Sequence, residues 1–135
     1  MKAVVDTNVL VSALLSRRSD SPTVRILHAL LDGRFTPLYA PGVIAEYRDV
    51  LSRPHFRFDS EAVAVLIDRI VSIGEIVEPA DSEEVFPDDP DDKVFYCVAL
   101  AKSDEDAKLV TGNARHYPQS SFVVTPAEFC DLIGI

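Results

Sequence analysis

Two spacings of apolar residues alternate along the chain. Lys2-Ala3-Val4-Val5 is a short β-branched run that stops at Asp6-Thr7-Asn8, after which Val9, Leu10, Ala13 and Leu14 recur at helical spacing. This predicts strand, turn, helix. A second helix fits Pro22 to Leu31, with its proline in the first turn, where the missing N–H costs no hydrogen bond, and Gly33 just past its end. Thr36 to Ala40 reads as a strand. Pro41 then opens a helix through Val43, Ile44, Tyr47, Val50 and Leu51, with Glu46 about one turn inside it.

The pattern breaks at Pro54 and resumes from Ser60 to Ile73, with Val63, Leu66, Ile67 and Ile70 on one face and Gly74 as the stop. Glu75-Ile76-Val77 is a brief strand before an acidic stretch. Asp89-Pro90-Asp91-Asp92 predicts a helix start: Asp89 caps, Pro90 takes the first position, and two acids meet the positive end of the helix dipole. Val94, Phe95, Val98 and Ala101 continue that helix. Lys108 to Thr111 is the next strand, closing on Gly112-Asn113, and Phe122 to Val124 is the last. Thr125-Pro126-Ala127-Glu128 forms a capping box for a final helix. The alternation implies an α/β fold with a largely parallel sheet. With no linker or internal repeat, residues 1–135 read as one domain.

Composition narrows the class. A chain of 135 residues, 47% hydrophobic, is long enough for one buried core. Its longest apolar run, Val94 to Ala101, falls far short of the roughly 18 residues of a membrane helix. Asp6 interrupts any leader-like segment, so a cytoplasmic protein with no membrane partner is expected. Cys97 and Cys130 sit among apolar neighbours without ligand spacing and are expected as buried free thiols. The net charge of −9 argues against bulk electrostatic capture of polyanions, yet seven acids between Asp81 and Asp92 account for most of it. The bases gather at Arg17-Arg18, at Arg48/Arg53/His55/Arg57 and at Arg115-His116. A positive surface around a negative centre is compatible with this arrangement, as is ordinary solvated charge.

The carboxylates are placed by the strand pattern. In an open parallel sheet, sites lie outside the carboxyl ends of the strands. Asp6 follows the first strand, Glu46 the second, Asp92 begins the helix after the acidic stretch, and Asn113 follows the penultimate strand. Carboxylates gathered at one edge repel one another unless a cation sits among them. Hard oxygen donors select Mg2+ or Mn2+, and no His-Cys set points to zinc. Such a site activates water against a phosphodiester without a Ser, Cys or His nucleophile. Nucleophile-elbow, phosphate-loop and dinucleotide glycine motifs are all missing from the chain.

The segments Val4-Val5-Asp6-Thr7-Asn8-Val9-Leu10, Pro41-Gly42-Val43-Ile44-Ala45-Glu46, Asp88-Asp89-Pro90-Asp91-Asp92-Lys93 and Leu109-Val110-Thr111-Gly112-Asn113 together resemble those of PIN-domain nucleases. Within that family the chain resembles the small bacterial and archaeal toxins of toxin-antitoxin modules. The match spans nearly the whole chain, and its specificity lies in the order and spacing of the four segments. The resemblance implies a three-layer α/β/α sandwich around a mostly parallel five-stranded sheet, and metal-dependent cleavage of RNA. It makes Asp6, Glu46 and Asp92 the catalytic acids and metal ligands. Asp92 is preferred to Asp91 because Phe95 and Ala99 then fall in the family's apolar helix register. Asn113 stands where the family carries a fourth acid; it still offers an oxygen but compensates less charge, and Asp91 or Asp89 is the nearest substitute. Thr7, Asn8 and Thr111 are expected to orient carboxylates or water, with Lys93, Arg17, Arg18 and Arg115 as substrate contacts. The implied partners are RNA, a cognate antitoxin that covers the site with a basic side chain, and a second copy of the chain.

Each residue also has a plainer explanation. Asp6 caps a helix, Asp91 and Asp92 serve a dipole, Glu46 is an exposed helical acid, and Asn113 suits a turn. The apolar faces from Val9 to Leu15 and from Val63 to Ile70 serve a core as well as a dimer. Among other functions, a phosphatase of the haloacid-dehalogenase class requires an aspartate where Asn8 stands. Calcium binding of the EF-hand type fails on Pro90, Lys93 and the absent glycine. A PIN domain that binds protein or RNA without cutting is the alternative from a different class.

Overall fold

Ala3, Val4 and Val5 are sealed from solvent, as the centre of a sheet covered on both faces requires. In the computed structural model, which describes residues 1–83 and 91–135, they belong to strand β1 (Lys2–Val5). The other strands are β2 (Thr36–Tyr39), β3 (Glu75–Ile76), β4 (Lys108–Val110) and β5 (Val123–Val124). All pairings are parallel and the order is β3-β2-β1-β4-β5. Val5 stands opposite Val110, which fixes the register of the two central strands at their carboxyl ends.

Six helices complete the three-layer α/β/α sandwich: α1 (Thr7–Leu15), α2 (Pro22–Leu31), α3 (Pro41–Leu51), α4 (Ser60–Ile73), α5 (Asp92–Ala101) and α6 (Pro126–Ile133). Helix α5 packs on β1, β2 and β4, and α3 on β2 and α5; α2 packs against α1, α4 and α6. Local chemistry sets most of the boundaries. Ser21 caps α2 ahead of Pro22, Asp59 caps α4, and Thr125 and Glu128 close the expected capping box on α6. Gly33 leaves α2 with a left-handed φ of 72°. Gly74 serves a different need: a Cβ there would collide with the backbone carbonyls of Ile70 and Pro37, so α4 joins β3 only if that residue has no side chain.

Helix α5 runs from Asp92, the residue from which the sequence reading starts it, and Asp91 before it already has helical dihedrals. Asp88, Asp89 and Pro90 themselves lie outside the described residues. A helix opening at Asp92 still places an acid in its first turn, against the dipole. The apolar faces of α1 and α4 are mostly core: Val9, Leu10, Ala13, Leu66, Ile67 and Ile70 are buried, while Leu15, Val65 and Val71 remain exposed. Cys97 and Cys130 are buried free thiols, and burial pushes both above the ordinary thiol range. No helix among the described residues is long and apolar enough to cross a membrane.

Candidate active site

Strand order reverses between β1 and β4, and the crevice at such a reversal is where open α/β sheets bind ligands. Asp6 and Thr111 leave the two strands side by side, joined by the Asp6 N–H donating to the Val110 carbonyl at 2.9 Å. A cleft of about 510 Å³ opens at this edge. Asp6, Thr7 and Asn8 line it from the β1–α1 turn, Glu46 from α3, Asp91 and Asp92 from the start of α5, and Asn113 from beyond β4. Glu46, Asp92 and Asn113 thus reach the cleft of Asp6 from three other parts of the chain.

Asp6 is the best-defined of these groups. It is 5% exposed, and its Oδ2 accepts from Thr111 Oγ1 at 2.8 Å, Tyr117 Oη at 2.9 Å and Asn8 Nδ2 at 3.0 Å. Its Oδ1 takes the backbone N–H of Asn8 at 3.5 Å, so it does cap α1 as the plainer explanation holds. A cap requires no such cluster on the other oxygen. Burial raises the Asp6 carboxyl above the ordinary range, and the hydrogen bonds from Thr111, Tyr117 and the Asn8 and Thr7 backbone pull it part of the way back. All three side-chain donors are neutral, so hydrogen-bond dipoles alone offset the charge, with no Lys or Arg ion pair to it among the described residues.

Neighbouring bonds fix this geometry. Asn8 Oδ1 accepts the Gly112 N–H at 3.1 Å, and Thr111 Oγ1 accepts the Asn113 N–H at 3.0 Å, tying the turn after β1 to the turn after β4. Tyr47, one residue beyond Glu46, sends its hydroxyl to the Val5 carbonyl and packs its ring against Phe95 of α5 at 5.9 Å. Burial, and then the charge of Asp6, hold that phenol far above its ordinary pKa, so it remains a donor.

The structure therefore brings Asp6, Thr7, Asn8, Glu46, Asp91, Asp92 and Asn113 to one cleft, with Thr111 bonded to Asp6. Thr7 acts on Asp6 through its backbone N–H, and its buried hydroxyl has no hydrogen-bond partner among the described residues. The expected substrate contacts are not in the cleft lining. Lys93 faces a separate depression with Pro79, Asp81 and Cys97. Arg18 pairs with Asp20 at 3.3 Å on the surface beyond α1, where Arg17 is exposed too, and Arg115 is exposed on the Ala114–His116 turn. Arg53, Phe56 and His116 line the cleft instead. Tyr117 was not singled out by sequence reasoning, since its bond to Asp6 spans 111 residues. Its one signal was a tyrosine in a loop, whose hydroxyl must find a partner if the ring is buried.

Among the described residues, no three His, Cys, Asp or Glu side chains form a ready-made metal site. The donor chemistry nevertheless suits a hard divalent cation: Asp6, Glu46, Asp92 and Asn113, with Asp91 beside them, present oxygens alone. A buried carboxylate surrounded by neutral donors is also the group that a cation would relieve. Compared with known families, residues 2–115 match the PIN domain. Searches of curated proteins and of solved structures returned no match.

Proposed function

From the premise that this chain belongs to the PIN-domain family, whose members are generally nucleases, we propose that it is a metal-dependent endoribonuclease and the toxin of a toxin-antitoxin module. One observation carries the reading: Asp6, Glu46, Asp91, Asp92 and Asn113 converge from separate elements on one cleft at the reversal of strand order. Asp6, Glu46, Asp92 and Asn113 would hold Mg2+ or Mn2+. When bound, the cation supplies the positive charge that lowers the pKa of a water and offsets charge building on a phosphate.

The protein's own groups do the positioning. Thr111, Tyr117 and Asn8 hold one oxygen of Asp6 and turn the other toward the helix end and the cleft. The Tyr47 bond to Val5 keeps α3, and with it Glu46, at a fixed distance from the Asp6 turn. Arg53 brings a permanent positive charge to the wall, suited to a phosphate oxygen. The cleft's acids are in turn the groups that an antitoxin would cover with a basic side chain. In this reading the chain acts in the cytoplasm and pairs with a second copy through exposed residues such as Leu15, Val65 and Val71.

The test is calorimetric titration of Mn2+ and Mg2+ into EDTA-stripped protein, alongside Asp6→Asn and Asp92→Asn, with cleavage of a mixed RNA pool followed at saturation. Saturable binding that both substitutions abolish, with cleavage tracking occupancy, is the expected result. Asn113 and the lack of a preassembled acid triad favour one alternative, a PIN domain that binds protein or RNA without cutting. Tight RNA or protein binding with no cleavage in either metal would establish it.

A further inference from the structure

The turn that follows α3 carries a column of three rings beside the cleft. His55 and Phe56 have ring centroids 4.2 Å apart with 39° between their planes, and Phe56 and Phe58 lie 5.1 Å apart with only 7° between theirs. The Pro54–Phe56 turn is followed by Arg57 at φ 56°, a left-handed state that non-glycine residues seldom adopt, and this reversal sets Phe58 back against Phe56. Phe58 rests on the core and Phe56 is half-buried, but His55 at the outer end is exposed. Core packing accounts for Phe58. It does not account for an imidazole held tilted against Phe56 and exposed to solvent.

The surroundings give the column a direction. Phe56 and Arg53 line the same cleft as Asp6, Glu46 and Asp92, so the middle ring of the three borders the candidate reaction centre. Exposed Arg53 and Arg57 bracket His55 in sequence, and exposed Arg48 lies five residues before Arg53, in the last turn of α3. Arg57 and Arg48 make no ion pair among the described residues, and the 3.1 Å pair of Arg53 with Asp49 is a solvated surface contact that exchanges easily. A flat ring end flanked by fixed cations suits a partner that offers both a π-face and phosphates. Bases within a duplex have both faces covered by neighbours, so only an unpaired base can extend this stack.

We propose that His55, backed by Phe56 and Phe58 and bracketed by Arg53 and Arg57, is the platform on which a nucleobase of single-stranded RNA stacks beside the phosphate entering the cleft. The inference rests on the nuclease reading and adds to it a binding residue, an imidazole that holds an unpaired base by its ring face without base-edge readout. The test is fluorescence titration of short single-stranded RNAs carrying 2-aminopurine at successive positions. It is run in Ca2+ with wild type, His55→Ala and His55→Phe, with Mn2+-dependent cleavage measured in parallel. Stacking predicts quenching at one position, binding weakened about fivefold or more in His55→Ala with loss of that quenching, and recovery of both in His55→Phe.

Because His55 is exposed, neither substitution disturbs the core. Equal binding and quenching by wild type and His55→Ala, with cleavage intact, would overturn the platform and leave the nuclease reading standing. The platform also falls if His55→Phe fails to restore binding, or if duplex RNA binds as tightly as the single strand. A wild type that neither binds nor cleaves RNA would overturn the nuclease reading, and the platform with it.

Discussion

The donors gathered on Asp6 Oδ2 offset only part of what burial costs its charge, since its carboxyl stays above the ordinary value of 3.8. The sign of the consequence is definite. Above the raised folded pKa the ionised carboxylate makes the cation-free fold less stable, and that penalty fades as pH falls and the folded protein takes up the proton first. Asp6→Asn removes the penalty while leaving an oxygen for the Thr111 and Tyr117 hydroxyls. Its Tm in EDTA at neutral pH is therefore expected to exceed that of wild type, as read by scanning calorimetry, although the same change removes a ligand of the proposed metal site. At this scale the sequence was informative where a residue follows a strand, as Asp6 and Asn113 do, or sits early in a helix, as Glu46 and Asp92 do. It was silent on Tyr117, and it grouped Arg53 with other bases without placing it at the cleft, because both positions come from tertiary packing that no spacing encodes.

Among the elements, several starts and stops were legible because each is local chemistry: Pro22, Gly33, Gly74, Asp92, and Thr125 with Glu128. The caps Ser21 and Asp59 and the turn of rings after α3 went unread. Gly74→Ala tests how closely α4 approaches β2. The added methyl meets the Ile70 and Pro37 carbonyls, and forcing it in should cost about 1–3 kcal/mol, measured as a lower urea midpoint with an unchanged slope. At the opposite end of the sheet from the cleft, Lys2 reaches Glu75 and Glu105 at 2.8 Å each, and Lys102 reaches the same two acids at 3.5 and 3.2 Å. The bonds from Lys2 hold Glu75 below the ordinary glutamate value of 4.5, and bonds from Lys2 and Lys102 do the same to Glu105. Depressed acids contribute stability that is present above that value and is lost as pH falls through the lower folded ones. Lys2→Met should flatten this acid limb in a plot of urea midpoint against pH, and added salt should flatten the wild-type limb toward it.

For the whole molecule, the alternation of strand and helix was enough to predict a parallel sheet with acids at its carboxyl edge, and the family match over residues 2–115 agrees with that architecture. Strand order was beyond reach of periodicity, because the pairing of β1 with β4 joins residues more than a hundred positions apart. That pairing places Asp6 beside Thr111 and creates the crevice. Since the cleft exists only in the folded chain, a cation bound there must stabilise the entire fold by mass action. Mn2+ at a hundred times its Kd should add about 2.7 kcal/mol, seen as a Tm that climbs with the logarithm of its concentration in wild type and stays flat in Asp92→Asn.

The hydroxyl that Tyr47 lends to the Val5 carbonyl acts as a spacer gauge between two segments with no covalent reason to keep station. One end stands next to Glu46, the other next to Asp6, and the gauge is a rigid aromatic ring whose proton does not leave at any working pH. In the proposed site, aperture and reactivity are thereby assigned to different side chains. Either acid can be exchanged, by mutation or by an engineer, without resetting the opening, and Tyr47→Phe would let the opening drift while both acids stay in place. A preference between ions of different radius, such as Mg2+ and Mn2+, should then be the first property to blur, ahead of the fold and ahead of affinity itself.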